Sequence, residues 1–224
     1  MAYLPIAIYG VGRFGRALAV AVDRVGLEIA AIGGWRRTDS PVDGVTFRVG
    51  IPDFLGALTT KSLVIIAVPD DAIKQVAQEI LNAGQAEHFY VHSAGSRSAN
   101  ELAPLTNRGC FHILQSFPTA DGADRVTGSF CAITANAELV GLLESLAQAL
   151  NLRPINLPDA ARTAYHTAAV VASNALVGLA EFGRQILKTA EIANADELLL
   201  PLMQGTLENL KLSGGDCAEA LTGP

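Results

Sequence analysis

The sequence has few cysteines and no long uninterrupted hydrophobic run. Its three cysteines, Cys110, Cys131 and Cys217, are far apart and include no Cys-x-x-Cys pair. This spacing excludes a cysteine-ligated zinc site and predicts a reducing, cytoplasmic location. The longest apolar stretches, residues 62–69 and 168–180, are short or interrupted by polar residues, so no membrane-spanning helix is expected. The amino terminus has no basic segment, so no signal peptide is expected either.

An excess of basic residues is also missing. The 224 residues include 16 Lys and Arg against 22 Asp and Glu, which gives a formal net charge of −6. This balance argues against nucleic acid as a partner, and no basic run offers a patch for a membrane surface. Half of the residues are hydrophobic, which is enough for a sizeable core.

Apolar runs alternate with helical patterns through residue 157. The predicted strands are residues 4–9, 27–32, 62–68, 89–92, 111–115, 129–134 and 152–157. Continuous apolar strands of this kind are typical of parallel sheets covered by helices on both faces. The pattern predicts an α/β fold, a doubly wound and mostly parallel Rossmann sheet, in a domain of residues 1–157.

From residue 158 onward the pattern is helical only. Two segments, residues 160–190 and 196–212, predict a smaller all-α domain of residues 158–224. The first segment is apolar nearly all the way round, which indicates a buried helix. About 65 residues are few for an independent core. We therefore expect this domain to pack on the sheet domain and on a second copy of the chain, forming a homodimer.

The turn after the first predicted strand carries the pattern Gly-x-Gly-x-x-Gly. Gly10 permits a tight turn, Gly12 lets the backbone approach a pyrophosphate, and Gly15 lets the helix pack close to the strand. The helix that follows directs N–H groups and the positive end of its dipole at the phosphates. This context predicts dinucleotide binding, and a glycine turn that serves packing alone is the alternative. The predicted binding residues of the turn are Gly10, Gly12, Arg13, Phe14 and Gly15.

The second predicted strand ends without the acidic residue that usually bonds the ribose of NAD. It is followed instead by Trp35, Arg36, Arg37 and Thr38. Two guanidinium groups and a hydroxyl suit a 2′-phosphate, and Trp35 can stack near the adenine. NADP is therefore predicted in preference to NAD. A solvated pair of arginines in a surface loop is the alternative interpretation.

Further candidate residues lie in or directly after three later strands, at the sheet edge where ligands of such folds bind. The residues concerned are Val68, Pro69, His92, Ser93 and His112. We expect the first four to line the cofactor site and His112 to act in catalysis. A helix cap is the alternative for Ser93, and a hydrogen-bonded core histidine is the alternative for His112. The neighbouring Asp70 or Asp71 is expected to cap the next helix.

A polar stripe interrupts the apolar helical segment that begins at residue 160. His166 and Ser173 are seven residues apart, as are Thr167 and Asn174, and seven residues make about two helical turns. Buried polar groups need partners, so the stripe predicts either a hydrogen-bonded network or a substrate site. In a substrate site, His166 would donate a proton to a carbonyl or imine and Asn174 would orient the substrate.

Together these segments make the sequence resemble a family of Rossmann-like predicted oxidoreductases with a helical C-terminal domain. That family lies in the wider group of 6-phosphogluconate dehydrogenase, pyrroline-5-carboxylate reductase and ketopantoate reductase. The matching stretches are residues 8–15, 63–72, 91–95, 111–117, 165–176 and 220–224. The resemblance implies an NAD(P)-binding sheet domain, a helical substrate and dimerisation domain, and a site in the cleft between them. It implies no particular substrate.

Two features depart from the pattern of that group. Related dehydrogenases carry a lysine and an asparagine on the first long C-terminal helix, whereas this helix has His166 and Asn174 and no lysine before Lys188. Relatives also continue beyond the last matching segment, and a natural short form and a truncated form both fit the sequence.

The leading hypothesis is an NADP-dependent oxidoreductase acting on a small carbonyl or imine, or on the corresponding alcohol or amine. An NADP-binding sensor or scaffold without turnover is the first alternative. A deazaflavin-dependent oxidoreductase is the second.

Overall fold

The computed structural model describes residues 3–119 and 121–221. It divides into two compact units, of which one extends through Thr167 and the other starts at Ala168. From residue 158 to residue 221 the chain contains helices and no strand, as the sequence predicts. Residues 222–224, which end the last matching segment of the resemblance, lie outside the described residues.

An eight-stranded sheet forms the centre of the first unit. Its strands are β1 (Ile6–Tyr9), β2 (Ile29–Gly34), β3 (Phe47–Val49), β4 (Leu63–Ile66), β5 (Phe89–His92), β6 (Arg108–Leu114), β7 (Phe130–Ala135) and β8 (Arg153–Asn156). The spatial order is β3-β2-β1-β4-β5-β6-β7-β8. The first six strands of this order are parallel, and β7 runs antiparallel to β6. The predicted mostly parallel α/β sheet is confirmed.

Helices connect the strands and make up the second unit. They are α1 (Arg13–Arg24), α2 (Gly50–Gly56), α3 (Ile73–Asn82), α4 (Ala137–Ala149), α5 (Arg162–Val170), α6 (Leu176–Thr189), α7 (Ala195–Leu212) and α8 (Cys217–Ala220). Asn136, a residue type that favours the start of a helix, caps α4, because its side chain accepts a hydrogen bond from the Leu139 N–H at 3.0 Å. Short 3-10 turns lie at residues 70–72, 99–102, 122–125 and 159–161.

Both faces of the sheet are covered. Along β1, Ile6 and Ile8 pack in one apolar cluster with residues of α1 and α4, whereas Ala7 and Tyr9 pack in a second cluster with residues of α2 and α3. Successive side chains of a strand point to opposite faces, so a continuous apolar run fits a strand that is buried on both sides. This arrangement leaves the ends of the strands as the places where ligands can reach the sheet.

One local prediction was wrong, and two elements were not predicted. Neither Asp70 nor Asp71 caps α3, since both lie in a 3-10 turn and α3 follows Ala72 without a side-chain cap. The strand β3 and the helix α2 were missed. A strand of three residues, Phe47–Val49, is too short to show a periodic pattern, and α2 follows it with no loop between.

The prediction of a single buried helix at residues 160–190 also needs correction. The segment is divided into α5, a π-helical turn at Val171–Ala175, and α6. On α6, Val177, Leu179 and Phe182 are 70%, 65% and 63% exposed. A helix with apolar residues on all sides can be buried, but the sequence does not show whether other elements cover every side. The second unit consists mainly of α6 and α7, and each of these helices is covered on only part of its surface. Among the described residues, none of the helices combines the length and hydropathy that a membrane span requires.

Candidate functional site

The turn between β1 and α1 admits only glycine at two of its positions. Gly10 has φ +104°, and a Cβ there would lie 2.3 Å from the carbonyl oxygen of Ala67, which follows β4. A Cβ at Gly15 would lie 1.9 Å from the carbonyl oxygen of Gly10. Contacts this short cannot be relieved by moving a flexible side chain, because the obstructing atoms belong to the backbone. Gly10 and Gly15 therefore allow β1, β4 and α1 to approach closely, as the sequence pattern predicts.

Gly12 has the opposite environment. A Cβ built on Gly12 would meet nothing within 4 Å, so the space beside it is open. Gly12 precedes α1 without a side-chain cap, and the first turn of the helix contains no acidic residue. Backbone N–H groups and the positive end of a helix dipole are suited to binding an anion. The geometry fits the pyrophosphate of a dinucleotide.

The next two residues of the turn contact the segment after β6. The Arg13 guanidinium donates a hydrogen bond to the Pro118 carbonyl at 3.3 Å. The ring of Phe14 packs edge to face on Phe117, with centroids 5.4 Å apart. Both predicted cofactor residues thus lie where the carboxyl ends of β1 and β6 are followed by loops.

The loop after β2 presents the predicted phosphate-binding residues at the surface. Arg36 and Arg37 are exposed, and within the described residues neither forms an ion pair. Trp35 is 40% exposed and packs edge to face on Tyr9, with centroids 5.8 Å apart. The loop is held by Arg16, which donates to Thr38 Oγ1 at 2.9 Å and to the Asp39 carbonyl at 3.0 Å. The sequence analysis missed Arg16, although its place one turn after Gly12 could have shown it.

Two further loops meet at the same edge of the sheet. Val68 and Pro69 follow Ala67 directly, and the Val68 nitrogen lies 3.1 Å from the position that a Cβ of Gly10 would take. The Asp70 carboxylate accepts a hydrogen bond from Ser96 Oγ at 3.1 Å and lies 3.7 Å from Arg97 Nε. Asp70 therefore joins the loop after β4 to the loop after β5, which explains why it does not cap α3.

His92 organises the loop that follows β5. Its Nδ1 accepts a hydrogen bond from the Ala94 N–H at 3.2 Å, and its Nε2 donates to the Ser98 carbonyl at 3.0 Å. The ring is fully buried, and burial lowers the pKa of His92. Both ring nitrogens are thus used within the loop, which leaves none for the cofactor contact that the sequence analysis expected. Ser93 is partly exposed, and its hydroxyl makes only a 3.5 Å contact with the Ile66 carbonyl.

Two predicted catalytic histidines come together around Gly95. A Cβ on Gly95 would lie 2.8 Å from His112 Nε2 and 2.9 Å from His166 Nδ1. His112 Nδ1 lies 3.0 Å from the hydroxyl of Tyr165, and the two rings pack edge to face. His166 Nδ1 is buried and has no hydrogen-bond partner among the described residues. We call Gly95, His112, Tyr165 and His166 the imidazole cluster.

The sequence analysis identified both histidines as candidate site residues but not Tyr165. Its position next to His166 could have indicated it. The pairing of Tyr165 with His112 joins residues 53 positions apart, which spacing along one helix does not reveal.

Burial controls the charge of the imidazole cluster. It lowers the pKa of His112 to about 4, with a further lowering by the positive charge of Arg162 and by His166. Burial also raises the pKa of Tyr165 to about 12. Both groups are therefore neutral near pH 7, and His112 acts there as a hydrogen-bonding group without a positive charge.

A buried guanidinium group binds the loop that carries Gly95. Arg162, at the start of α5, is 1% exposed. Its Nη1 donates to the Gly95 carbonyl at 3.2 Å, its Nη2 donates to Thr134 Oγ1, and its Nε lies 3.2 Å from the Asp159 carboxylate. Asp159 also accepts hydrogen bonds from Ser98 Oγ and from the Ala99 N–H. This network fixes the loop after β5 to the beginning of α5.

Asn174 lies in the second unit, in the π-helical turn Val171–Ala175. Ser173 Oγ in the same turn donates to the Ala169 carbonyl at 2.8 Å and lies 3.1 Å from Asn174 Oδ1. The prediction that residues seven apart share a face assumed a regular α-helix, and the wider π turn invalidates that assumption. Within residues 3–119 and 121–221, no group of three potential metal ligands is close enough to hold a metal ion.

Comparisons with protein families agree with this fold. The model of the Rossmann-like domain family matches residues 1–116. The model of a domain of unknown function, DUF2520, matches residues 129–224. A search of the curated proteins finds no significant match.

Several solved structures have the same fold. A protein of Bacteroides fragilis assigned as an NADP oxidoreductase is 23% identical, with a TM-score of 0.80 over 100% of this chain and 85% of its own. A protein of Thermotoga maritima is 22% identical, with a TM-score of 0.75 over 98% of this chain and 83% of its own. Pyrroline carboxylate reductase of Plasmodium falciparum, solved with NADP bound, is 11% identical, with a TM-score of 0.66 over 94% of this chain and 80% of its own. At these identities the similarity shows the fold.

The buried network around Arg162 predicts a large loss of stability in Arg162→Ala. The substitution leaves the buried Gly95 carbonyl without its donor and unpairs Asp159, whose side chain is 35% exposed, so a loss of about 1–3 kcal/mol is expected. Urea denaturation followed by circular dichroism measures the change. Arg184→Ala, which breaks exposed ion pairs, is the control and should change stability little. Equal effects of the two substitutions would contradict the role of Arg162.

Proposed function

The chain belongs to the Rossmann-like domain family, and on this premise we propose that it is an NADP-dependent oxidoreductase. Its substrate would be a small carbonyl or imine compound, or the corresponding alcohol or amine. Pyrroline carboxylate reductase of Plasmodium falciparum, which has the same fold, was solved with NADP bound. His112 and His166 are the proposed groups next to the reacting atoms, and Asn174 is the proposed group that orients the substrate.

The observation that carries this proposal is the geometry of the turn after β1. Gly10 and Gly15 fit closely against backbone atoms, while Gly12 faces open space at the start of α1. A turn that served packing alone would have no need for an open side at Gly12. Bound there, the nicotinamide nucleotide would supply or accept the hydride, and the turn would hold its phosphates.

Because the space at Gly12 is open, Gly12→Ala should lower the affinity for NADPH and leave the stability of the fold nearly unchanged. A methyl group meets no protein atom, so the free energy of unfolding should change by about 1 kcal/mol or less. The same methyl group would occupy the space of the pyrophosphate and lower the affinity for NADPH by about tenfold or more. Fluorescence titration measures the affinity. Gly141→Ala in α4, which also meets no atom within 4 Å, is the control. Unchanged NADPH affinity in Gly12→Ala would refute binding at this turn.

The preference for NADP over NAD is proposed from the loop after β2. Arg36 and Arg37 are exposed there and free to contact a phosphate, and Arg16 holds the loop through Thr38. Guanidinium groups present a planar pair of donors that matches phosphate oxygens.

Arg36→Ala/Arg37→Ala should therefore lower the affinity for NADPH by about tenfold or more, because the 2′-phosphate would lose two charged donors. The affinity for NADH, which has no 2′-phosphate, should change much less. Fluorescence titration with both nucleotides measures the difference. Lys61→Ala/Lys74→Ala removes the same number of charges from exposed positions elsewhere and is the matched control. An equal loss of affinity for both nucleotides would contradict a phosphate clamp.

Binding of NADP without turnover is the second candidate function. It is favoured by the absence of lysine from α5, since the first lysine after the sheet is Lys188 in α6. Oxidation of NADPH that depends on an added carbonyl or imine compound would exclude this candidate.

A cytoplasmic location is proposed from the cysteines. Cys110 and Cys131 are buried and Cys217 is exposed, and all three are free thiols. An exposed free thiol is compatible with a reducing compartment.

We also propose that the helical unit forms a homodimer with a second copy of the chain. The supporting observation is the set of apolar side chains that α6 and α7 leave exposed. Leu179 and Phe182 of α6 and Leu202 of α7 are each more than 60% exposed. Leu179 and Leu202 also line one surface depression between α6 and α7, and exposed apolar surface of this kind favours an interaction site.

Phe182→Glu should convert the dimer into a monomer, because a carboxylate would then be buried in an apolar interface without a partner. Size-exclusion chromatography with light scattering gives the mass directly. Val25→Glu, which changes an exposed apolar residue of the sheet unit, should leave the mass unchanged. A wild-type chain that elutes as a monomer at every concentration would refute the homodimer.

A further inference from the structure

The contacts of Arg16 indicate a role in nucleotide selectivity, and this inference rests on the proposed NADP-dependent function. We propose that Arg16 is a positioning residue for recognition of the 2′-phosphate of NADP. It holds the loop after β2 in the place where Arg36, Arg37 and Thr38 can bind that group. Selectivity for NADP over NAD then depends on a side chain of α1 as well as on the loop itself.

Arg16 joins two parts of the carboxyl edge of the sheet. Its backbone N–H donates to the Gly12 carbonyl at 3.0 Å, so the residue lies one helical turn after the position where the space is open. Its Nη2 donates to Thr38 Oγ1 at 2.9 Å and to the Asp39 carbonyl at 3.0 Å, both in the loop after β2. One side chain therefore sets the spacing between the proposed pyrophosphate site and the proposed 2′-phosphate site.

These two hydrogen bonds hold the middle of the loop. At its start, Trp35 packs on an aromatic ring of β1. At its end, Ser40 Oγ donates to the carbonyl of Val42, whose side chain is buried in the core. Between these anchors, the bonds from Arg16 are the only hydrogen bonds that residues 36–39 form within the described part of the chain. Without Arg16, the segment that carries the two candidate phosphate-binding arginines would be anchored at its ends alone.

The polarity of the bond to Thr38 also favours a phosphate. A guanidinium group has N–H donors and no acceptor, so the Thr38 oxygen accepts this bond. The proton of the Thr38 hydroxyl is then free to be donated to another acceptor. A phosphate monoester near pH 8 carries about two negative charges and offers acceptor oxygens. Arg16 thus orients Thr38 as a donor, beside two guanidinium groups that are donors as well.

Arg16 acts through the loop and is not itself a ligand of the phosphate. The two N–H groups of its Nη2 are both used in the bonds to Thr38 and Asp39. If Arg16 instead bound the phosphate directly, or acted by its charge alone, removal of Arg16 and removal of the Thr38 hydroxyl would have independent effects. A positioning role requires that the two changes act through one shared contact, so that their effects do not add.

A double-mutant cycle on ligand binding measures this difference. Arg16→Ala, Thr38→Val and the combined variant are titrated by calorimetry with adenosine 2′,5′-bisphosphate and with adenosine 5′-monophosphate, which differ only in the 2′-phosphate. The ratio of the two dissociation constants gives the preference for that phosphate. Thr38→Ser keeps the hydroxyl and is the conservative variant. Arg24→Ala, which removes an exposed arginine of α1 that pairs with Asp124, is the matched control.

We expect Arg16→Ala and Thr38→Val each to lower this preference by about tenfold, with much less change in the affinity for the monophosphate. The combined variant should lower it little more than either change alone, because both remove the same contact. Thr38→Ser and Arg24→Ala should keep the wild-type preference. An unchanged preference in Arg16→Ala, or a combined loss equal to the product of the two separate losses, would overturn the proposal.

Trp35 reports the position of the loop in the absence of any nucleotide, since it is the one tryptophan of the chain. Acrylamide should quench its fluorescence faster in Arg16→Ala than in the wild type, because the loop would be held less firmly. Arg24→Ala should leave the quenching unchanged, and circular dichroism checks the folding of each variant. If Arg16→Ala does not fold, Thr38→Val decides: a lost preference with faster quenching supports the proposal, and any other result overturns it.

The same samples separate this proposal from the proposed function. If the wild type binds NADPH but Arg16→Ala keeps the preference for the 2′-phosphate, the role of Arg16 is overturned and the NADP-dependent function stands. If the wild type binds neither NADPH nor the two adenosine nucleotides, the proposed function is refuted and the selectivity role with it. The quenching of Trp35 then still shows whether Arg16 positions the loop.

Discussion

The carboxyl edge of the sheet depends on one close approach between backbones, at the turn that joins β1 to α1. The Ala67 carbonyl, the Gly10 backbone and α1 at Gly15 are so near to one another that a single Cβ would overlap them. This contact brings β1, β4 and α1 to one point and leaves the helix N-terminus accessible. The loops that carry Val68, Pro69 and Asp70 then start beside the same point. The open N-terminus of α1 and the position of the neighbouring polar loops are therefore consequences of the same packing.

A second constraint acts on the polar loops, and it is electrostatic. Arg162 is buried, donates hydrogen bonds to the Gly95 carbonyl and to Thr134, and has its charge balanced by the Asp159 carboxylate. Burial of a guanidinium is costly unless its charge is paired, and the carboxylate of Asp159, 3.2 Å from Nε, supplies the opposite charge. Burial lowers the pKa of His112 most, and the positive charge of Arg162 lowers it further. Arg162 therefore both fixes the loop after β5 and helps to keep His112 uncharged.

The sequence predicts the features that arise from local chain chemistry. The bounds of β5, Phe89–His92, agree with the prediction to the residue, and Asn136 caps α4, because apolar runs and capping side chains act on their immediate neighbours. Features that depend on tertiary contacts were missed. A charged residue such as Arg162 looks like any surface arginine in the sequence, and its burial follows only from its partners. The exposure of α6 was predicted wrongly, since hydrophobicity shows which surface could be covered but not whether this chain covers it.

The π-helical turn at Val171–Ala175 has a consequence for comparing this chain with its relatives. Such a turn accommodates one more residue than an α-helical turn, and one extra residue rotates everything after it by roughly 100° about the helix axis. A homologue with an uninterrupted α-helix here would present different positions of α6 toward the same neighbours. An ungapped alignment through this segment would therefore equate residues that occupy different sides of the helix, and a one-residue gap would restore the correspondence.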